Sequence, residues 1–182
     1  NAQVPVTGWK LRELMQVMAQ INDKILHFFF LAAPDFVLGA GADYKVRNVL
    51  GIVQAAPELA TQVVKMRQMG QMMIEKFAGK VIHPVVVVPG GFAKSMREDE
   101  RQELLAKSRE QLEFARFCID FAKKNIFYNL DAATLGLGAI TTGFLGTVKP
   151  EDGALTLFDG VLRLMKPDGT YQDFSYAQYV DF

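Results

Sequence analysis

Three long runs of apolar residues at three- and four-residue steps decide most of what this chain can become. In the first, Leu11, Leu14, Met15, Met18, Ile21, Ile25 and Phe28 recur at the spacing of one helical face. The run predicts a helix from about Trp9 to Ala32, with Thr7 or Gly8 as N-cap. Pro34 sets its stop, because the residue before a proline is pushed out of the α region. The second run opens at Pro57, where a missing N–H costs nothing, and its stripe passes from Leu59 through Val63, Met66, Gly70 and Met73 to Phe77. Gly79 supplies a left-handed exit. The third starts at a Ser-x-x-Glu capping box, Ser95 with Glu98, and reaches about Lys124. Leu104, Leu105, Ser108, Leu112, Ala115, Ile119 and Ala122 make one face of it, and Phe114, Phe117, Cys118 and Phe121 a second. A helix apolar on two sides is expected to be sandwiched between neighbours. The charges from Arg97 to Arg109 alternate in sign and read as a solvated face with i,i+4 pairs.

Between and beyond these runs the signals are shorter. A polar loop with Gly39, Gly41 and Asp43 leads into a short helix expected over Tyr44 to Gln54, capped by Asp43. Val85 to Val88, pinned between Pro84 and Pro89-Gly90-Gly91, is too short for a helix and predicts an extended buried segment. From Asn125 the helical pattern gives way to Gly136, Gly138, Gly143 and Gly146. Asp159-Gly160, set between Ala154–Phe158 and Val161–Met165, is the hairpin signal. Lys166-Pro167-Asp168-Gly169 turns the chain into Thr170–Phe174. Ser175 is expected to cap a last helix through Tyr179. The fold class is therefore mostly α: a helical bundle with a small antiparallel β-meander near the C-terminus. It is expected to be one domain, with a helical body over 3–135 and the sheet over 150–175. Asn1-Ala2 resembles the scar of a cleaved purification tag and is set aside.

Composition removes several classes of function. Twenty Lys and Arg balance twenty Asp and Glu over 182 residues, which argues against a nucleic-acid partner. No apolar run reaches membrane-spanning length; the longest, Ile25 to Pro34, is interrupted by His27. No secretory signal leads the chain. A single cysteine, Cys118, excludes an intrachain disulfide and fits a reducing, cytoplasmic setting. With two histidines, His27 and His83, and one cysteine, no zinc or iron–sulfur ligand set can be written. Fourteen Phe and eight Met are a heavy load for a free domain. They predict apolar surface near Phe28–Phe30 and on the Phe114–Phe121 face, covered by the rest of a larger molecule. Two copies of the isolated chain would bury the same faces by dimerising.

Few residues are candidates for chemistry. Gly136-Leu137-Gly138 with Gly143 lacks the G-x-G-x-x-G spacing of a dinucleotide loop and reads as flexible backbone or close packing. Cys118 has no cation or helix N-terminus beside it and reads as structural. No G-x-S-x-G elbow occurs. His27, beside Phe28-Phe29-Phe30, reads as a hydrogen-bonded core residue. His83 stands before Pro84 at the entry to the valine run. A buried stretch there would fix its ring in one orientation, and the glycines would let backbone approach a neighbour closely.

Three segments carry a family resemblance. Leu26-His27-Phe28-Phe29-Phe30-Leu31 with Pro34-Asp35-Phe36-Val37 resembles the LHFYxL…DFV stretch of the nickel–iron hydrogenase large subunit. Gly79-Lys80-Val81-Ile82-His83-Pro84 with Val88-Pro89-Gly90-Gly91 resembles its GxxxHP…VPGG segment, and Leu157-Phe158-Asp159-Gly160-Val161-Leu162-Arg163 its LYDGxLRV hairpin. The Val-Pro-Gly-Gly form and Phe30, where the periplasmic branch has a histidine, are closest to the cytoplasmic branch. The resemblance implies dihydrogen oxidation or proton reduction at a nickel–iron centre, with electrons passed to iron–sulfur clusters of a small partner subunit. Four cysteines in two C-x-x-C pairs hold the metals in that family. Cys118 matches none of them, so the resemblance implies an interior stretch of the subunit without catalytic, cofactor-binding or metal residues of its own, inactive alone. It also implies that His83 lies beside the partner's nearest iron–sulfur cluster and tunes it. Two other readings stand: the quinone-site large subunit of respiratory NADH dehydrogenase, which has a similar His-Pro…Pro-Gly-Gly segment, and a non-enzymatic helical interaction domain.

Overall fold

In the computed structural model, which describes residues 3–181, the first helix does not stop where the proline rule places its end. Helix α1 (Val6–Leu26) passes without a break into a π-helical stretch, His27–Ala32, and then into α2 (Ala33–Val37). Ala33 stays in the right-handed α region, and its N–H reaches back five residues to the Phe28 carbonyl. The wide π turns let the ladder run past Pro34, which sits in the first turn of α2, where its missing N–H is tolerated. The N-cap is Pro5 rather than Thr7 or Gly8.

The short helix is α3 (Val49–Ala55), and Asn48, not Asp43, caps it by accepting from the N–H groups of Leu50 and Gly51. Asp43 instead closes a turn, accepting from the Lys45 N–H at 2.9 Å. Helix α4 (Pro57–Ala78) begins at its proline and ends at Gly79 in the left-handed conformation (φ 79°), as the sequence requires. Helix α5 (Glu98–Asn125) starts two residues later than the Ser95 box predicts. Its cap is Arg97, whose N–H donates to Glu100 at 3.1 Å.

The chain divides into two compact units, one up to Leu130 and one from Asp131. In the first, α1, α4 and α5 enclose a core containing Met18, Ile25, Phe29, Val63, Met73, Phe77, Leu104 and Phe114. Burying each such side chain contributes roughly 1.5–3 kcal/mol. Phe29, on the π stretch, stacks on Phe114 of α5 at 5.9 Å. A polar layer crosses the same core. Gln111 is buried and donates to the Met66 carbonyl, Arg67 donates to the Asn22 carbonyl, and the Asn22 Oδ1 is buried without a partner. Gly70 leaves room for this layer; a Cβ there would come within 3.2 Å of Gln111 Nε2. The sandwiched α5 of the sequence reading is only partly present: Phe114 is buried, while Phe117 and Ile119 are exposed.

The second unit opens with α6 (Ala132–Gly136), capped by Asp131, a helix that the sequence reading did not include. Its sheet is antiparallel, in the order β3 (Phe144–Val148), β4 (Val161–Met165), β5 (Tyr171–Phe174). The meander is present, but the expected pairing of Ala154–Phe158 with Val161–Met165 is not. β4 pairs with β3 in the register Phe144↔Met165 to Val148↔Val161. The reversal comes from Asp152-Gly153, where Asp152 accepts from the Ala154 N–H, and residues 154–156 fold back on the end of β3. Asp159 then bends the chain into β4 with a left-handed φ of 55°. The turn at Lys166–Gly169 joins β4 to β5 as expected. Ser175 is followed by a 3₁₀ helix, Tyr176–Asp181, rather than an α-helix, and its Oγ accepts from the Ala177 N–H. The reading of Asn1-Ala2 as a tag scar lies outside the described residues.

Candidate functional site

The residues with the most unusual placement lie between α4 and α5. After Gly79 the chain runs to His83, which adopts φ 55°. A left-handed backbone is uncommon for any residue with a side chain, and a following proline disfavours it further. Such a conformation costs on the order of 1–3 kcal/mol and persists only where its surroundings impose it.

The chain continues from His83 into a two-stranded hairpin. β1 (Val87–Val88) pairs with β2 (Gly91–Phe92) in the register Val87↔Phe92 and Val88↔Gly91. Pro89-Gly90 forms the turn, with Gly90 at φ 82°, the value that favours glycine after a proline. The Ala93 N–H donates to the Val86 carbonyl at 2.7 Å. Val86 is buried in the helical core, and Phe92 stacks on Phe77 at 5.1 Å. From the other side, Arg12 of α1 clamps the turn. Its Nη2 donates to the carbonyls of Val88 (2.8 Å) and Gly91 (2.9 Å), and its guanidinium lies over the Trp9 ring at 5.4 Å. Gly8 of the same helix lies against the turn, with a Cβ there falling at an ordinary contact distance of 3.6 Å from the Gly91 Cα.

The segment is not buried as expected. Val86 alone of the four valines is buried, and Ile82, His83 and Val85 are exposed. His83 thus presents an imidazole at the surface, with exposed Ile82 and Val85 close to it in sequence. Both ring nitrogens are without a hydrogen-bond partner among the described residues, so the ring is equipped to donate or accept one hydrogen bond toward a neighbour.

The other candidates fall away. His27 is exposed on the π stretch, and its ring makes no hydrogen bond among the described residues, contrary to its expected place in the core. Cys118 is half-buried, and burial pushes its thiol up to about 11, so it is neither a thiolate ligand nor a nucleophile at neutral pH. Gly136 closes α6, and residues 137–143 form an exposed loop with no helix N-terminus behind it. Sequence reasoning missed Arg12, although an arginine three residues from Trp9 at the edge of an apolar stripe is a signal for a cation–π contact.

Comparison with known proteins places this geometry in a family. No family model matches the chain. A solved NAD+-reducing [NiFe]-hydrogenase in the H2-reduced state superposes on 98% of it with a TM-score of 0.88 and 35% identity, over 40% of that structure's chain. The fold is thus that of a nickel–iron hydrogenase component. Two curated relatives are F420-non-reducing hydrogenase vhu subunits A, from Methanococcus voltae (43% identical) and Methanocaldococcus jannaschii (41%). Both match the whole chain, which spans about two fifths, 43%, of the length of each. The chain belongs to the large-subunit family of nickel–iron hydrogenases.

That family implies a nickel–iron centre, and the described residues do not fit one. No group of three His, Cys, Asp or Glu stands together among them, and the one thiol is held protonated by burial. No described helix is long and apolar enough to cross a membrane.

Proposed function

We propose that this chain is part of a nickel–iron hydrogenase large subunit that oxidises dihydrogen or reduces protons. The thiolates that grip the nickel–iron centre belong to other segments of that subunit, and the electrons pass to iron–sulfur clusters in a small partner subunit. The setting is cytoplasmic, and the helical body and the sheet are both parts of the larger subunit. What supports this reading most is His83, exposed with a strained backbone on a segment matching GxxxHP…VPGG, just before the Arg12-clamped hairpin. Strain retained at a solvent-facing residue without a partner indicates a partner elsewhere.

In this reading His83 donates a hydrogen bond toward the partner's nearest cluster. Hydrogen bonds to cluster sulfurs raise the reduction potential, so loss of the donor lowers it. The test is His83→Ala and His83→Gln in the assembled enzyme, with the cluster potential read by redox titration. His83→Ala is expected to lower the potential and slow electron transfer to an acceptor, and His83→Gln to restore part of both. Unchanged potentials and rates in both variants would overturn the role. Purification of the polypeptide that carries this sequence, with metal analysis and a dihydrogen-dependent dye-reduction assay, tests the activity itself.

A further inference from the structure

Helix α5 carries a second apolar stripe that its own chain leaves open. Leu105, Leu112 and Ile119 repeat every seven residues and are 38%, 50% and 56% exposed. Between them, at the three-residue step, stand Ser108 and Ala115. Large residues alternating with small ones at this spacing are the knobs and holes of a close helix pair. The stripe covers about 21 Å, four turns, at 1.5 Å per residue. It is distinct from the buried face of the helix, which runs through Leu104, Gln111, Phe114 and Ala122.

The flanks of the stripe say what fits it. One flank is the row Leu104, Gln111, Cys118, already turned into the helical core. The open flank, four residues beyond each large apolar position, is Arg109, Arg116 and Lys123. Arg116 pairs with Glu113 on its own helix at 2.7 Å, while Arg109 and Lys123 have no ion pair among the described residues. An occupant therefore meets apolar side chains bordered by positive charge on its accessible side. A second copy of this chain fits badly. An antiparallel pair sets the basic rows against each other, and a parallel pair sets each basic row against the partner's covered flank.

We infer that this stripe seats an amphipathic helix of about four turns whose apolar face is bordered by Asp or Glu, supplied by the remaining length of the same subunit. The inference rests on the reading of the chain as part of a longer large subunit. The relatives extend for more than half their length outside the matched stretch, which supplies the polypeptide. The basic row supplies the complementarity, because opposite charges flanking a helix seam set partner choice.

The experiment is photo-cross-linking in the assembled enzyme, with benzoylphenylalanine replacing Leu112 and, in a second preparation, Arg116, followed by mass mapping of the joined peptides. The result expected is a link from both positions to one helical segment of the same polypeptide outside these 182 residues, with acidic residues beside an apolar stripe. Arg109→Glu combined with Lys123→Glu is expected to lower the yield from position 112 by at least roughly tenfold, since like charges across an interface cost more than a tenfold change requires. The same pair of changes leaves the melting point of the isolated chain unaltered, which separates a docking effect from misfolding. Links to a second copy, to a different subunit or to nothing overturn the inference. So does an unchanged yield after charge reversal. Dihydrogen activity of the same preparations reports separately on the underlying hydrogenase reading.

Discussion

Replacing Phe114 by alanine tests the packing from which everything else hangs. Phe114 is 3% exposed and lies between Phe29 of the π stretch, 5.9 Å away, and Phe117, 6.0 Å away, with both rings stacked on it. Truncating a buried phenylalanine costs about 3–5 kcal/mol, including the cavity it leaves. For a unit of this size each kcal/mol moves the midpoint by roughly 4 °C, so Phe114→Ala is expected to melt about 12–20 °C lower. Phe117 is 40% exposed, and Phe117→Ala is expected to cost about 1–2 kcal/mol in the isolated chain. Thermal and urea unfolding followed by circular dichroism, with the urea slope unchanged, reads both. A cycle combining Phe114→Ala with Phe29→Ala is expected to give a coupling of about 0.5–1.5 kcal/mol for the stacked pair. Equal losses at 114 and 117, or no coupling between 29 and 114, would refute this arrangement of α1, the π stretch and α5.

Three further outcomes follow from the geometry. Gly51→Ala would drive a Cβ into the Val46 backbone, whose carbonyl carbon would stand 2.9 Å away; a loss of roughly 1–3 kcal/mol is expected in urea unfolding, as for an overpacked site. Arg12→Ala removes the donor to the Val88 and Gly91 carbonyls. Hydrogen exchange at the Ala93 amide should speed up while the amides of α5 keep their protection. Asp173 is held below its ordinary value of 3.8 by a hydrogen bond from Arg163, at 2.7 Å across the β4–β5 ladder. A lowered folded-state value means that its contribution is complete above about 3.8 and fades as the pH falls through the lowered value. Acid unfolding of the sheet, followed by NMR of its amides, should therefore lose that dependence in Asp173→Asn.

The sequence made the long helices legible because each buries a continuous stripe, and α4 was legible at both ends because Pro57 and Gly79 act locally. It misled where a local preference met a tertiary demand. Pro34 was read as a stop, yet the π stretch lets the ladder continue and brings Phe29 onto Phe114. The Asp159-Gly160 pair suggested a hairpin, but Asp152-Gly153 makes the reversal, and Gly143 and Gly146 disguised β3 as loop. The neighbours of His83 mark its segment in the sequence, but its exposure and left-handed backbone are not readable there. The clamp that Arg12 places on the Val88 and Gly91 carbonyls is equally nonlocal, and no local pattern encodes that contact.

The account stands or falls on whether this chain can hold nickel. The direct measurement is metal analysis of the folded 182-residue chain after incubation with nickel and iron under reducing conditions, alongside a dihydrogen evolution assay. The expected result is no stoichiometric nickel and no gas, with nickel recovered only in the polypeptide that supplies the missing thiolates. One nickel per chain together with sustained dihydrogen evolution would contradict it.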